Sequence, residues 1–148
     1  MVFLFFIQVL YSWFVLLMLH YQHMSLTLLH TAKSFPKLPY EAMKDAVLGK
    51  HYALTLVFVG EKRAQRLNNE HRNASYIPNV LSFPLDEKNG EIYITPTIAK
   101  RECKKFNLSP DGYIAFLFIH GLFHLHGLDH SDEMDTAEKR IMRRFKIQ

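Results

Sequence analysis

Apolar and polar residues alternate along this chain with two different periods, and the switches between them outline a mixed fold. Residues 25–30 (Ser-Leu-Thr-Leu-Leu-His) read as a short strand, followed by a loop from Lys33 to Pro39. Tyr40 to Leu48 carries apolar residues at helical spacing and stops at Gly49. Tyr52 to Val59 is an apolar, β-rich run ending at Gly60, the pattern of a buried strand. Glu61 to His71 returns to the helical period. Ile77 to Phe83 predicts a short strand limited by Pro78 and Pro84, and Glu91 to Ile94 predicts another. Thr95-Pro96 opens a helix through about Phe106, and Asn107 to Gly112 turns the chain into the next one.

That next helix is the least ordinary element. Ser109-Pro110 supplies an N-cap and a first-turn proline, and Tyr113 to Leu125 contains no charged residue. A helix that is apolar all round belongs in the middle of a core. Ser131 or Asp132 then caps a final helix with an apolar face of Met134, Ala137, Ile141, Met142 and Phe145. The pattern predicts an α+β domain over residues 25–148, one small mixed β-sheet packed against helices with the apolar helix central. Strand order is not legible in it.

Residues 1–24 stand apart, with no Lys, Arg, Asp or Glu among them. A helix of residues 1–19 would span about 28 Å, close to the roughly 30 Å of a bilayer's hydrocarbon core. Three readings compete: a membrane anchor, a secretory signal, or sequence upstream of the true start. A signal lacks its basic n-region and a small-residue cleavage site. Upstream sequence is the favoured reading, and an anchor comes second. Were it an anchor, Lys33 and Lys37 would keep the domain on the cytoplasmic side.

Composition changes the picture little. One cysteine, Cys103, excludes an intramolecular disulfide framework and fits a reducing compartment. Net charge is +4, a mild bias toward anionic partners such as RNA. Basic residues gather on two helices: Lys100, Arg101, Lys104 and Lys105 on one, Lys139, Arg140, Arg143, Arg144 and Lys146 on the other. Phosphate contacts are their functional reading. The interleaved Glu102 and Glu138 suit the plainer one, a solvated helix face.

The candidate chemistry lies in His120-Gly-Leu-Phe-His124-Leu-His-Gly-Leu-Asp-His130, which holds four of the nine histidines. Residues four apart on a helix share a face, so His120 and His124 can aim at one atom. On a straight helix His130 would lie about 9 Å further along and on another face. Gly127, placed between, can take the left-handed conformation that ends the helix and returns the chain. The spacing therefore predicts a three-histidine metal site. Three imidazoles leave one position of tetrahedral zinc for water, and no local cysteine offers a fourth ligand. His126, about 200° around the helix from His124, is expected to be outside the site, and His71 to be exposed.

The same segment resembles the signature of the YbeY family of metal-dependent endoribonucleases. Leu67-Asn68-Asn69-Glu70-His71-Arg72, Val80-Leu81-Ser82-Phe83-Pro84 and Gly90-Glu91-Ile92-Tyr93-Ile94 resemble further stretches of that family, across about residues 25–145. The resemblance implies a zinc-dependent, single-strand-specific endoribonuclease of the cytoplasm, acting in ribosomal RNA maturation at the small-subunit 3′ end and in ribosome quality control. It implies zinc ligands at His120, His124 and His130, a functional arginine at Arg72 and the motif acid at Asp129. The chain departs from the family at Asn79, where an aspartate is usual, and Asn79 cannot act as a carboxylate.

Elementary chemistry gives these residues roles. Arg72 offers a planar, permanently charged fork for phosphate oxygens. Asp129, next to a ligand, can orient a histidine through its second ring nitrogen. Two other readings stay open: a non-catalytic ribosome-binding factor with a structural zinc, and a metallopeptidase. The latter would want a glutamate directly after its first histidine, where this chain has Gly121.

Overall fold

A computed structural model describes residues 25–31 and 35–148. The apolar segment 1–24, with its anchor, signal and start-site readings, lies outside the described residues. Four strands form one sheet: β1 (Leu26–His30), β2 (Ala53–Phe58), β3 (Val80–Pro84) and β4 (Asn89–Ile94), in the order β1-β2-β4-β3. β1, β2 and β4 are parallel, and β3 runs antiparallel along the outer side of β4. The helices are α1 (Tyr40–Leu48), α2 (Glu61–Arg72), α3 (Pro96–Glu102), α4 (Pro110–Leu125) and α5 (Asp132–Arg144). The architecture is α+β, as the sequence predicts. No helix among the described residues is long and apolar enough to cross a membrane.

The sheet's two faces differ. Leu54, Leu56, Phe58, Ile92 and Ile94 point to one side, where they form the main core with α1, α4 and α5. Side chains alternate along a strand, so Val57 and Tyr93 face the other way. There they meet Val59 and Ala64, the latter from α2. α4 is sandwiched between the sheet and the remaining helices of its side, and most of its residues from Gly112 to Phe123 are buried. That burial explains the absence of charge between Tyr113 and Leu125.

Local departures from the sequence pattern have identifiable causes. The helix expected from Thr95 to Phe106 tightens into a 3₁₀ turn at Cys103–Phe106 and stops at Asn107, which is left-handed at φ 56°. The strand expected from Ile77 begins only at Val80. Pro78 has no N–H for a ladder, and Asn79 turns its side-chain oxygen back to accept from Val80 N at 2.7 Å. The strand then runs through Pro84, tolerated because β3 is an edge. Sequence periodicity also conceals Lys44, which is fully buried. Its ammonium donates to Ser25 Oγ and to the carbonyls of Gly49 and Tyr52, tying β1, α1 and the entry to β2 together.

Candidate metal centre

α4 carries the first two histidines because its two ends are well defined. Ser109 Oγ accepts from Gly112 N at 3.0 Å, capping the start. At the other end Gly127 is left-handed at φ 93°. Gly127 N donates to His124 O and Leu128 N to Phe123 O, both at 3.0 Å, the paired bonds of a Schellman stop. The chain reverses there, as the glycine predicts, and returns His130 to the other two. Ligand-capable atoms of His120, His124 and His130 lie within 4.8 Å of one another. Ring centroids are 4.5 Å apart for His120–His124, 5.1 Å for His120–His130 and 4.8 Å for His124–His130.

The outer ring nitrogens are already committed. His124 Nδ1 lies 2.9 Å from the Leu128 carbonyl, which can only accept, so Nδ1 bears the proton and donates. His120 Nδ1 lies 2.7 Å from Glu138 Oε1, a carboxylate only 5% exposed. The two Nε2 atoms face each other at 3.0 Å, and in the neutral rings, with both Nδ1 atoms donating, each presents a lone pair. Burial holds His124 below its ordinary value and so disfavours its cationic form. Two such lone pairs repel unless a cation stands between them. Imidazole nitrogens on a tetrahedral zinc lie about 3.3 Å apart, so the Nε2 pair needs little movement to bind one. The donor set could hold a metal, with the exposed His130 closing the triangle.

Glu138 was not legible as part of this centre. Expected on a solvated face with Glu102, it is buried and holds His120; Glu102 is half-buried as well. A signal did exist, since Met134, Glu138, Ile141 and Phe145 repeat at helical spacing and place an acid inside the apolar stripe. Asp129 is exposed, and among the described residues the bonds to the ligand rings come from Glu138 and the Leu128 carbonyl. His126 is exposed, off the shared face of His120 and His124. His71 is exposed too, with its ring 4.7 Å from that of Phe83.

Arg72 is the exposed last residue of α2, on the helix that covers the opposite sheet face from α4. Both nevertheless point to one end of the sheet. His71 packs on Phe83, which pairs with Glu91, while a Cβ at Gly121 would meet the Ile92 side chain at 3.0 Å. Leu125 likewise reaches Gly90. The ligand-bearing end of α4 and the Arg72 end of α2 thus lie on either side of the same stretch of the β3–β4 edge. A side chain at Gly121, where a metallopeptidase would have its glutamate, would crowd the Ile92 side chain of the sheet.

Asn79 sits elsewhere. Its amide donates to Glu102 Oε2 at 2.8 Å and lies 3.3 Å from the Tyr113 hydroxyl, which itself donates to Glu102 at 3.2 Å. Burial and the Glu102 charge push the Tyr113 phenol up to about 12. Tyr113 precedes His124 by eleven residues of α4, about 16 Å along the axis. The asparagine therefore belongs to a packing cluster at the far end of the helix. Of the basic residues, Arg101 is tied to Glu61 at 2.6 Å, while Lys100, Lys104, Lys105, Lys139, Arg140, Arg143, Arg144 and Lys146 are exposed.

Fold and site together define an α+β domain with three histidines that could hold a metal ion, two on its central helix and one on the return from it. The profile of the family described as Endoribonuclease YbeY matches residues 19–147, and the chain belongs to that family. It is 37% identical over 93 residues to the endoribonuclease YbeY of Mycoplasma mycoides, covering 55% of this chain and 57% of the relative. A Mesomycoplasma hyopneumoniae relative of the same name is 34% identical over 114 residues, covering 67% and 75%. The alignments thus span between just over half and three quarters of these relatives. The solution structure of a Thermotoga maritima protein superposes with a TM-score of 0.58 at 28% identity, covering 78% of this chain and 85% of that one.

Proposed function

We propose that this chain is a zinc-dependent endoribonuclease that cuts single-stranded RNA, with ribosomal RNA near the small-subunit 3′ end as substrate and a role in ribosome quality control. The observation that carries the reading is the pair of Nε2 atoms held face to face at 3.0 Å, with both Nδ1 atoms in hydrogen bonds of their own. Family membership supports the choice of RNA, because the relatives bear the name endoribonuclease. His120, His124 and His130 would hold the metal through ring nitrogens. When bound, zinc supplies a hydroxide at neutral pH and polarises a phosphoryl oxygen.

The chain's own residues supply the rest. Glu138 and the Leu128 carbonyl fix two imidazoles in the tautomer that presents Nε2. Arg72, at the same end of the sheet, would receive the phosphate or the charge that develops on it. Asp129 adjoins His130 on the return from α4 and would steady that exposed ligand. RNA cleavage by the metallated chain tests the reading, with a small-subunit 3′-end fragment as substrate. Cutting should vanish in His124→Ala and fall strongly in Arg72→Ala. A folded, fully metallated chain that cuts no RNA would instead indicate a ribosome-binding factor with a structural zinc.

A further inference from the structure

A cavity of about 330 Å³ lies between α5, the first half of α4 and the 3₁₀ turn, sharing Glu138 with the histidine cluster. Phe106, Phe116 and Met142 give it an apolar lining, and Asp135, Glu138 and Lys139 complete the wall. Two of these residues touch the metal centre. Glu138 is the carboxylate that holds His120, and the Phe116 ring lies 5.9 Å from the His120 ring. Phe116 precedes His120 by one turn of α4, about 6 Å along the axis, so one wall of the cavity lies a single turn from that histidine.

Its aromatic wall is unusual in being wet. Phe106 stacks on Tyr113 with centroids 4.7 Å apart, yet 52% of it remains exposed. Such a ring is a platform on which any base can stack, since every base has a π-face. The charges decide which part of a nucleotide enters. Asp135 and Glu138 make the cavity hostile to phosphate, whereas Lys139 stands at its wall and the exposed Lys104 and Lys105 precede Phe106 in the chain. A neutral base fits inside, with its phosphates outside on the lysines. Asp135 would accept from an exocyclic amino group. We propose that this cavity seats one nucleobase of the RNA strand, stacked on Phe106. The proposal rests on the endoribonuclease reading above.

Short single-stranded RNAs carrying an abasic residue at each position in turn provide the test. Binding to the zinc-loaded chain is read by fluorescence anisotropy, with phosphorothioate linkages slowing any cutting during the measurement. At one position the abasic residue should weaken wild-type binding about tenfold, the scale of one base–aromatic stack. The same residue should cost Phe106→Leu less than about twofold, because the partner is already gone. Phe106→Trp should restore the full loss. Identical responses of wild type and Phe106→Leu at every position would overturn the base seat. If His124→Ala still abolishes cutting in that case, the nuclease reading survives without the seat; wild type that binds no RNA overturns both.

Discussion

Glu138 is the residue on which the reading of the centre can be tested most sharply. It is 5% exposed, and its Oε1 lies 2.7 Å from His120 Nδ1. It therefore orients the ring and raises its basicity as a ligand. Glu138→Gln keeps an oxygen in place to accept from Nδ1–H, so the tautomer survives while the negative charge is lost. Glu138→Ala removes the acceptor altogether and leaves Nδ1–H without a partner in a half-buried site. Losing such an outer contact costs metal affinity by roughly 10- to 100-fold. We expect Glu138→Gln near the lower figure and Glu138→Ala near the upper, about 1.4 and 2.7 kcal/mol. Zinc affinity is measured by competition with a chromophoric chelator, with circular dichroism establishing that each variant is folded. Wild-type affinity in folded Glu138→Ala would refute the reasoning, since the carboxylate would then be irrelevant to the ligand it touches.

Three other outcomes follow from particular contacts. Asn79→Asp sets a carboxylate against Glu102, so urea unfolding should show a loss of about 1–3 kcal/mol, while zinc affinity stays unchanged; a fall in affinity would contradict the distant placement of this cluster. Gly127→Ala meets no atom within 4 Å but is strained at φ 93°, costing about 1–2 kcal/mol and weakening zinc binding through a displaced His130. Burial lowers the His124 pKa, so below the ordinary value of 6.5 the unfolded chain takes up a proton that the folded chain resists. Stability of the metal-free chain present above that pH should be lost as the pH falls, by at most about 1.4 kcal/mol per unit from this group. Urea midpoints at about pH 7.5 and about pH 5.5 measure it, and His124→Gln should show a smaller difference than wild type.

Much of this architecture was legible in the sequence because local chemistry dictated it. The bounds of α1 follow from Pro39 and Gly49, and the end of α4 from Gly127, whose left-handed backbone brings His130 round. Contacts between elements were not legible. Parallel pairing inserts β4 between β2 and β3, an arrangement decided by packing across the sheet rather than by any local period. Glu138 looked like a surface acid because its partner, His120, lies eighteen residues away on another helix. Asn79 stood out as the place of an aspartate usual in the family. Its bonds to Glu102 and Tyr113 instead make it a fastener, and an aspartate in its place would repel the carboxylate it now holds.

The central claim is that three histidines form a centre with one open position, as a hydrolytic metal requires and a structural one does not. X-ray absorption spectroscopy on the zinc-loaded chain, with the metal content determined on the same sample, tests it directly. The account predicts one zinc per chain with three imidazole nitrogens and one water oxygen, all about 2.0–2.1 Å away. A fourth protein ligand in place of the water, or a chain that binds no zinc, would contradict it.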